Sequence, residues 1–316
     1  MSKRLTLDII IPSYNRAELL KRTLASIARA DPSPSLDVGI LVVDNNSTDA
    51  TRAVVEAAMP QFGGRLSYLL EPQQGRSYAL NAGIRASRAD IIGMIDDDEE
   101  IDGRWLVEIG RRFADEALDF LGGPCLPSWG GQACPAWLPS SHRGLIGWIV
   151  PAEEPFDYGD GTSAYMVGGN SVIRRRVLEE IGLYSTSLGR TGAAVNGGED
   201  LELCGRLLAA GKRGKYSPDL IIYHHIPKDR LVTSFFRRRS FWDGVSIGFV
   251  SRRRPEPVPH IAGVPRYFMR MAAEGLLDRL SPTPRKPSVR FAGELLCLEL
   301  LGRFYGRHFY AGPPAR

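Results

Sequence analysis

Two rhythms of apolar and polar positions alternate along the first hundred residues. Leu5 to Ile11 is a near-continuous apolar run closed by Pro12-Ser13-Tyr14-Asn15, the pattern of a buried strand. Arg16 to Arg29 then carries Leu19, Leu20, Thr23, Leu24 and Ile27 at helical spacing and stops before Asp31-Pro32-Ser33-Pro34. Val38 to Val43 is a second strand-like run ending in Asp44-Asn45-Asn46-Ser47, with Ser47 placed to cap a helix from Thr48 to about Met59. Leu66 to Leu70 predicts a third strand, Ser77 to Ala86 a helix, and Asp90 to Ile95 a fourth strand. Strand alternating with helix predicts an α/β fold whose central sheet is parallel and wrapped by helices on both faces. Ligands of such sheets bind beyond the carboxyl ends of the strands. Pro12-Ser13-Tyr14-Asn15, Asp44, Glu71 with Arg76, and Asp96 with Asp98 all fall there, so four polar clusters are expected on one rim.

The pattern loosens after an amphipathic helix through Leu106, Ile109 and Phe113. From Pro124 to about Ala164 the chain is rich in Gly, Pro, Trp and Ser without a period, which suggests a binding loop. Trp129, Trp137 and Trp148 lie in it; exposed aromatic faces suit stacking on sugars, and buried ones anchor loops. Tyr165 to Ile173 reads as a return strand with close backbone approach at Gly168 and Gly169. A helix from Arg175 to Ile181 ends at Gly182 as a left-handed cap. Gly197-Gly198-Glu199-Asp200 opens another helix, and a strand is expected within Tyr216 to Tyr223, before His224-His225.

Composition narrows the class. The 316 residues, 43% hydrophobic and 24% charged, are those of a folded globular chain, enough for one large α/β domain or two modest ones. Four scattered cysteines form no Cys-x-x-Cys pair or zinc spacing, so buried or loop thiols in a reducing compartment are expected. The N-terminal apolar run is too short for a signal peptide and nothing reaches transmembrane length, which suggests a cytoplasmic protein. No Gly-x-Gly-x-x-Gly follows the first strand and no Walker lysine loop is present. A diphosphate would therefore have to be held by metal rather than by a glycine nest.

Asp96-Asp97-Asp98-Glu99-Glu100 supplies the candidate. Side chains alternate along an extended chain, so Asp96 and Asp98 face one way and Asp97 the other. Two carboxylates on one face at a strand's end make a hard-oxygen site for Mg²⁺ or Mn²⁺, which complete their shells with water and substrate phosphates. The plainer reading is a solvated acidic loop. Glu199-Asp200 could likewise serve only the helix dipole, and Asp44 only an Asx turn.

Taken in order, these motifs resemble the inverting family 2 glycosyltransferases with the GT-A fold, from about Leu5 to about Pro227. The resemblance rests on Ile-Pro-Ser-Tyr-Asn, Val-Val-Asp-Asn-Asn-Ser-Thr-Asp, Arg76 with Asn81-Ala-Gly, the Asp-Asp-Asp run, Gly169-Asn170, and Gly-Glu-Asp opening a helix. It implies a Rossmann-like nucleotide-binding half at about 1–100, an acceptor and catalytic half at about 101–227, and a helical, basic extension at 228–316. Asp44 would bond the base, Asp96 the ribose, and Asp98 the metal on the diphosphate, with His224 a further ligand and His225 its substitute. Pro12, Tyr14, Asn15, Arg76 and Asp97 would complete the donor site. Asp200 would be the general base of a single displacement with inversion. Glu199, Trp129, Gly169 and Asn170 would lie toward the acceptor or sugar.

The implied donor is a nucleotide sugar, UDP-linked, with Mn²⁺ or Mg²⁺ as cofactor and a glycan, lipid-linked or small-molecule hydroxyl as acceptor. The Gln-x-x-Arg-Trp motif of processive members is absent, since no glutamine precedes Arg237-Arg238-Arg239-Ser240-Phe241-Trp242; this favours one sugar per encounter. A sugar-phosphate nucleotidyltransferase would want a glycine- and arginine-rich loop after the first strand. A silent nucleotide- or carbohydrate-binding module would need no base. The tail interleaves arginines with aromatics in two amphipathic segments, Tyr267 to Leu280 and Phe291 to Phe309, which suits an anionic membrane surface or a helical cap. It carries no nucleic-acid motif.

Overall fold

A computed structural model describes residues 4–159, 165–188, 198–252, 256–280 and 285–311. Gly197 and the end of the Gly/Pro-rich segment, 160–164, lie outside the described residues. The chain divides into two compact units. The first comprises Met1–Ser128, Ile149–Thr186 and Glu199–His225; the second comprises Trp129–Trp148, Ser187–Gly198 and Ile226–Arg316.

The first unit begins with β1 (Leu5–Ser13), α1 (Ala17–Arg29), β2 (Leu36–Asp44), α2 (Thr51–Ala58), β3 (Leu66–Leu70), α3 (Arg76–Ala86) and β4 (Ile91–Met94). It continues through β5 (Glu99–Ile101), α4 (Trp105–Arg112), β6 (Phe120–Gly122), β7 (Cys125–Ser128) and β8 (Phe156–Asp157). β9 (Ser171–Arg174), α5 (Arg175–Ile181), α6 (Glu199–Ala209), β10 (Gly214–Tyr216) and β11 (Ile222–His225) complete it. The main sheet runs β3-β2-β1-β4-β9-β6-β10-β8. Its first four strands are parallel, and β9 then enters antiparallel between β4 and β6, so the sheet is mixed. A second sheet, β5-β11-β7, sets Glu99 opposite His224.

Strand alternation divides the core. Leu7, Ile9, Ile11, Val42 and Ile91 point to one face, under α1, α2 and α4, while Ile10, Val43, Ile92 and Met94 point to the other, under α3, α5 and α6. The apolar runs of the sequence are therefore runs because both faces are covered.

Local expectations changed at four places. Ser47 does not cap α2, whose first turn is instead served by Asp49, which accepts from the Thr51 N–H at 3.0 Å; Ser47 accepts from the Asn15 N–H. The return strand is shorter than expected, because Gly168–Asn170 forms a 3₁₀ turn before β9. Gly182 does follow α5 with φ +85°, though at ψ 162° it is not in the left-handed helical region. The strand expected within Tyr216 to Tyr223 is two strands in different sheets, broken at Ser217-Pro218, where proline cannot donate to a ladder.

The second unit holds α7 (Thr233–Val250), a small ladder of β12 (His260–Ile261) and β13 (Val264–Pro265), α8 (Arg266–Leu280) and α9 (Pro287–His308). Glycines let its helices touch. A Cβ at Gly244 or Gly248 would collide with the α9 backbone at Glu299 or Arg303, and one at Gly302 or Gly306 with α7 at Phe241 or Val245. Constant offsets make α7 and α9 parallel, while Gly275 against Gly293 and Cys297 against Ala272 make α8 and α9 antiparallel. Phe236, Phe291 and Leu295 form the core of this unit, with Trp137 edge-on to both phenylalanine rings. Trp129 packs edge-on to Trp148 in the same unit, 5.8 Å between centroids, so these loop tryptophans act as anchors.

All four cysteines are free thiols, with Cys125 and Cys204 buried. Among the described residues no helix is long and apolar enough to cross a membrane.

Candidate active site

The four polar clusters do meet at the carboxyl edge of the parallel strands. Ser13 and Asp44 are paired in register at the ends of β1 and β2. Asn45 ties the next loops together: its amide donates to the carbonyls of Glu71 and Gln73 at 3.1 and 2.8 Å, and its oxygen accepts from the Gly75 N–H at 2.6 Å. That clamp sets the start of α3, and with it Arg76. Asn15, at φ +52°, accepts from the Thr48 N–H at 2.7 Å and joins the loop after β1 to the loop after β2. Tyr14 stands exposed beside it, and Pro12 is buried in β1.

Asp44 is buried, and both of its carboxylate oxygens accept bonds from the protein. One takes the Ser47 N–H at 2.8 Å, tying down the loop after β2, and the other takes the Tyr68 hydroxyl at 2.7 Å. Burial and the Asp44 charge push the Tyr68 phenol up to about 12.

The acid run is a turn rather than an extended strand, so the expected pairing of Asp96 with Asp98 on one face fails: Asp98 shares Arg16 with Asp97, and Asp96 points elsewhere. Asp97 turns back under β1, where it accepts from Ser13 Oγ at 2.8 Å and from Arg16 at 3.0 Å. Asp96 turns the other way and accepts from Arg76 Nε at 2.9 Å. Arg76, itself buried, donates through Nη1 to Glu199 and to Asp200, each at 3.1 Å, so one guanidinium links three acids from two distant segments. Asp98 meets Arg16 at 2.8 Å, and its Oδ2 stands 3.5 Å from His224 Nε2. The adjacent His225 lies on the opposite side of β11, with Nδ1 3.2 Å from Arg22. Alternation along one strand thus aims His224, not His225, at Asp98.

Glycines 168 and 169 make room for two carboxylates. A Cβ at Gly168 would overlap the Asp200 carboxylate, and one at Gly169 would overlap that of Glu99. Asn170 is wholly buried and holds scaffold together: its oxygen accepts from Trp105 Nε1 at 2.9 Å, and its amide donates to the Pro124 and Leu220 carbonyls. Gly169 and Asn170 therefore shape the floor of the site, while Trp129 belongs to the second unit.

Charge is crowded here. Burial, followed by repulsion from Asp98, pushes the Asp97 carboxyl up to about 7 against the pull of Arg16. Burial together with Glu199 and Asp96 pushes Asp200 up to about 7, opposed by Arg76. Glu99, fully enclosed and accepting from the Asp96 N–H at 2.7 Å, is driven well above the ordinary carboxyl range by burial. Burial opposes the charge on Arg76, but Asp200, Asp96 and Glu199 hold it protonated. One oxygen of Glu199 is buried without a hydrogen-bond partner. Six acids thus face two arginines.

That imbalance, together with a carboxylate oxygen and an imidazole nitrogen facing each other, fits a divalent cation at Asp98 and His224. Among the described residues no third thiol, imidazole or carboxylate gathers with them. Water and a diphosphate would have to complete the shell.

Arg16 and Tyr68 were not singled out from the sequence, and Asn45 and Glu99 entered only as members of the motifs that contain them. Arg16 sits directly after the Pro12–Asn15 motif, and that adjacency was its one available signal. Asn45 and Tyr68 act through contacts across 24 to 30 residues, which no local pattern records.

A mixed α/β sheet with an aspartate cluster past its fourth strand, and a second acid pair at a helix start, has the arrangement of the GT-A glycosyltransferase fold. The profile described as "Glycosyl transferase family 2" matches residues 8–182, more than half of the chain, and the chain belongs to that family. It is 26% identical over 250 residues to the succinoglycan biosynthesis protein ExoM of Rhizobium meliloti (strain 1021), covering 78% of this chain and 75% of that protein. It is 25% identical over 299 residues to the glucosyl-dolichyl phosphate glucuronosyltransferase of Haloferax volcanii, covering 92% and 91%. Among solved structures it resembles the mannosyltransferase PcManGT of Pyrobaculum calidifontis, in complex with GDP-Man and Mn²⁺, with TM-score 0.64 and 18% identity over 96% of this chain and 88% of that one. The S. aureus TarS fragment with UDP-GlcNAc is similar at TM-score 0.51 and 18% identity, over 77% and 66%.

Proposed function

We propose that this glycosyltransferase is metal-dependent and inverting, and that it moves one sugar from a nucleoside-diphosphate sugar to an acceptor hydroxyl. The observation that carries the reading is the chain Asp96–Arg76–Asp200, with Asp98 and His224 beside Asp96 at the same strand end. Asp98 and His224 would hold Mn²⁺ or Mg²⁺, which when bound neutralises charge on the departing diphosphate. Asp96 would take the donor ribose, and the loop of Pro12, Tyr14 and Asn15, with Asp44, would take the nucleoside. Asp200 takes the proton from the acceptor hydroxyl as that oxygen attacks the anomeric carbon from the face opposite the diphosphate. Arg76 fixes the direction of the Asp200 carboxylate through one oxygen and leaves the other for the hydroxyl proton. Such a displacement needs a base and no protein nucleophile.

The nucleoside is taken as uridine from the sequence resemblance, and the structural neighbours carry GDP-Man and UDP-GlcNAc. The acceptor is a glycan or lipid-linked hydroxyl; one relative, 30% identical over 122 residues, is named as a glucosyltransferase acting on an undecaprenol-linked glycan. A lipid-linked acceptor would bring the chain to a membrane surface.

The test is a thermal-shift panel of UDP- and GDP-sugars with Mn²⁺ or with EDTA, on wild type and Asp98→Ala. A ligand at about a hundred times its Kd stabilises the native state by about 2.7 kcal/mol, a readily measured rise in midpoint. A metal-dependent rise with one nucleotide sugar, lost in Asp98→Ala, is expected. A folded wild type indifferent to every nucleotide sugar would sink the proposal. Binding with neither donor hydrolysis nor transfer to any acceptor would return the reading to a silent module.

A further inference from the structure

Ten of the seventeen large hydrophobic side chains that stand exposed among the described residues lie between Tyr267 and Phe309, in the second unit. On α8, Phe268, Ala272 and Gly275 turn inward, and the outer side carries Arg266, Arg270 with its ion-pair partner Glu274, Leu277 and Leu280. Leu277 and Leu280 are 69% and 68% exposed, the most open of the large apolar residues among those described. The end of α9, beside the start of α8, exposes Leu301, at 60%, with Phe304, Tyr305 and Phe309. Scattered single leucines need no explanation, but a run of them along two neighbouring helices does.

Charge supplies the second observation. Residues 228–316 hold 17 lysines and arginines against 7 acids, a net +10, while residues 1–227 hold 23 against 29, a net −6. The chain's near-neutral total thus conceals a strongly basic C-terminal quarter. The occupant of the α8–α9 face must accept buried leucines and also supply negative charge. A second copy would satisfy the leucines but set +10 against +10. A nucleic acid would satisfy the charge but offer little to aliphatic side chains. A bilayer rich in anionic lipid satisfies both at once.

We propose that the antiparallel α8–α9 pair docks peripherally on an anionic membrane surface. Leu277 and Leu280 enter the boundary between headgroups and acyl chains, and Arg266 of the same helix meets lipid phosphates. No described helix is fit to span, so attachment is by two modest contributions, apolar insertion and charge. The inference deepens the proposed function by giving a lipid-linked acceptor its location. Vesicle binding is read without any transfer assay, however, so either idea can fail alone.

The experiment is co-sedimentation of the full chain with vesicles of phosphatidylcholine, and of phosphatidylcholine with about one third phosphatidylglycerol. Partition onto the anionic vesicles that weakens steeply with salt is expected, with little onto the neutral ones. Leu277→Ser/Leu280→Ser should lower it about tenfold or more, with an unchanged thermal midpoint, because both side chains are exposed. Arg266→Gln should lower it about fivefold at low salt. Failure of the folded wild type to bind anionic vesicles, equal binding to neutral vesicles, or binding undiminished by the leucine pair would each overturn the proposal. So would a dimer seen by light scattering that the leucine pair dissolves, because the face would then belong to self-association.

Discussion

Asp200 is pulled by one arginine and pressed by two acids, and its protonation follows from that contest. With its pKa pushed up to about 7 rather than near the ordinary 4, the carboxylate that can accept a proton is filled only above neutrality. In the metal-saturated enzyme kcat/KM should therefore fall as pH drops through about 7, along a limb with the slope of one proton. The same shift has a stability consequence of definite sign. Between pH of about 4 and 7 the folded chain keeps a proton that the unfolded chain has released, so this group's contribution to stability declines as pH rises across that window. Asp200→Asn removes both effects. It should cut kcat by about 10²- to 10⁴-fold while the thermal midpoint at pH 8 stays the same or rises. A lowered midpoint with retained transfer would assign Asp200 to structure alone.

At the scale of elements, position is set by contacts that propensity does not report. Arg76 reaches Glu199 and Asp200 because Asn45 fixes the turn into α3, and because the turn at Gly168 leaves the carboxylate of α6 room to approach. The helices of the second unit depend on missing side chains in the same way. Gly244, Gly248, Gly302 and Gly306 lie along the seam of α7 and α9, where each backbone occupies the space a methyl would need. Gly302→Val should push the two helices apart and cost about 1–3 kcal/mol, read as a lower midpoint in chemical denaturation. An unchanged midpoint would show that the seam is not close-packed. By sequence these glycines look like weak points in helices; in the fold they are contact points.

The whole molecule consists of two compact units, and each encloses its own apolar cluster, around Leu7, Ile9 and Val172 in the first and around Phe236 and Leu295 in the second. Two cores permit two melting steps. Calorimetry should give a measured enthalpy larger than the van 't Hoff value, and a nucleotide sugar with Mn²⁺ should raise only the transition of the first unit. A single transition with equal enthalpies, shifted as a whole by ligand, would mean that the two cores melt together. The units also differ in electrical character. The nearly balanced total charge misleads on this point, because the excess of base is confined to the C-terminal quarter.

The sequence by itself determined the strand–helix rhythm, the rim on which the polar clusters gather, and the grouping of acids at Asp96–Asp98 and Glu199–Asp200. These are local facts: buried strands must be apolar on both faces, and residues just past their ends must be exposed to whatever binds there. Tertiary structure alone decided which member of each group faces which way. It turned Asp97 under β1 and Asp96 toward Arg76, and chose His224 over His225 for Asp98. It also made Asn170 a buried strap between strands, and gave the loop tryptophans packing partners in the second unit. The physical reason is common to all of these. A side chain's direction is fixed by the neighbour that satisfies its charge or fills its space, and those neighbours lie tens of residues away along the chain.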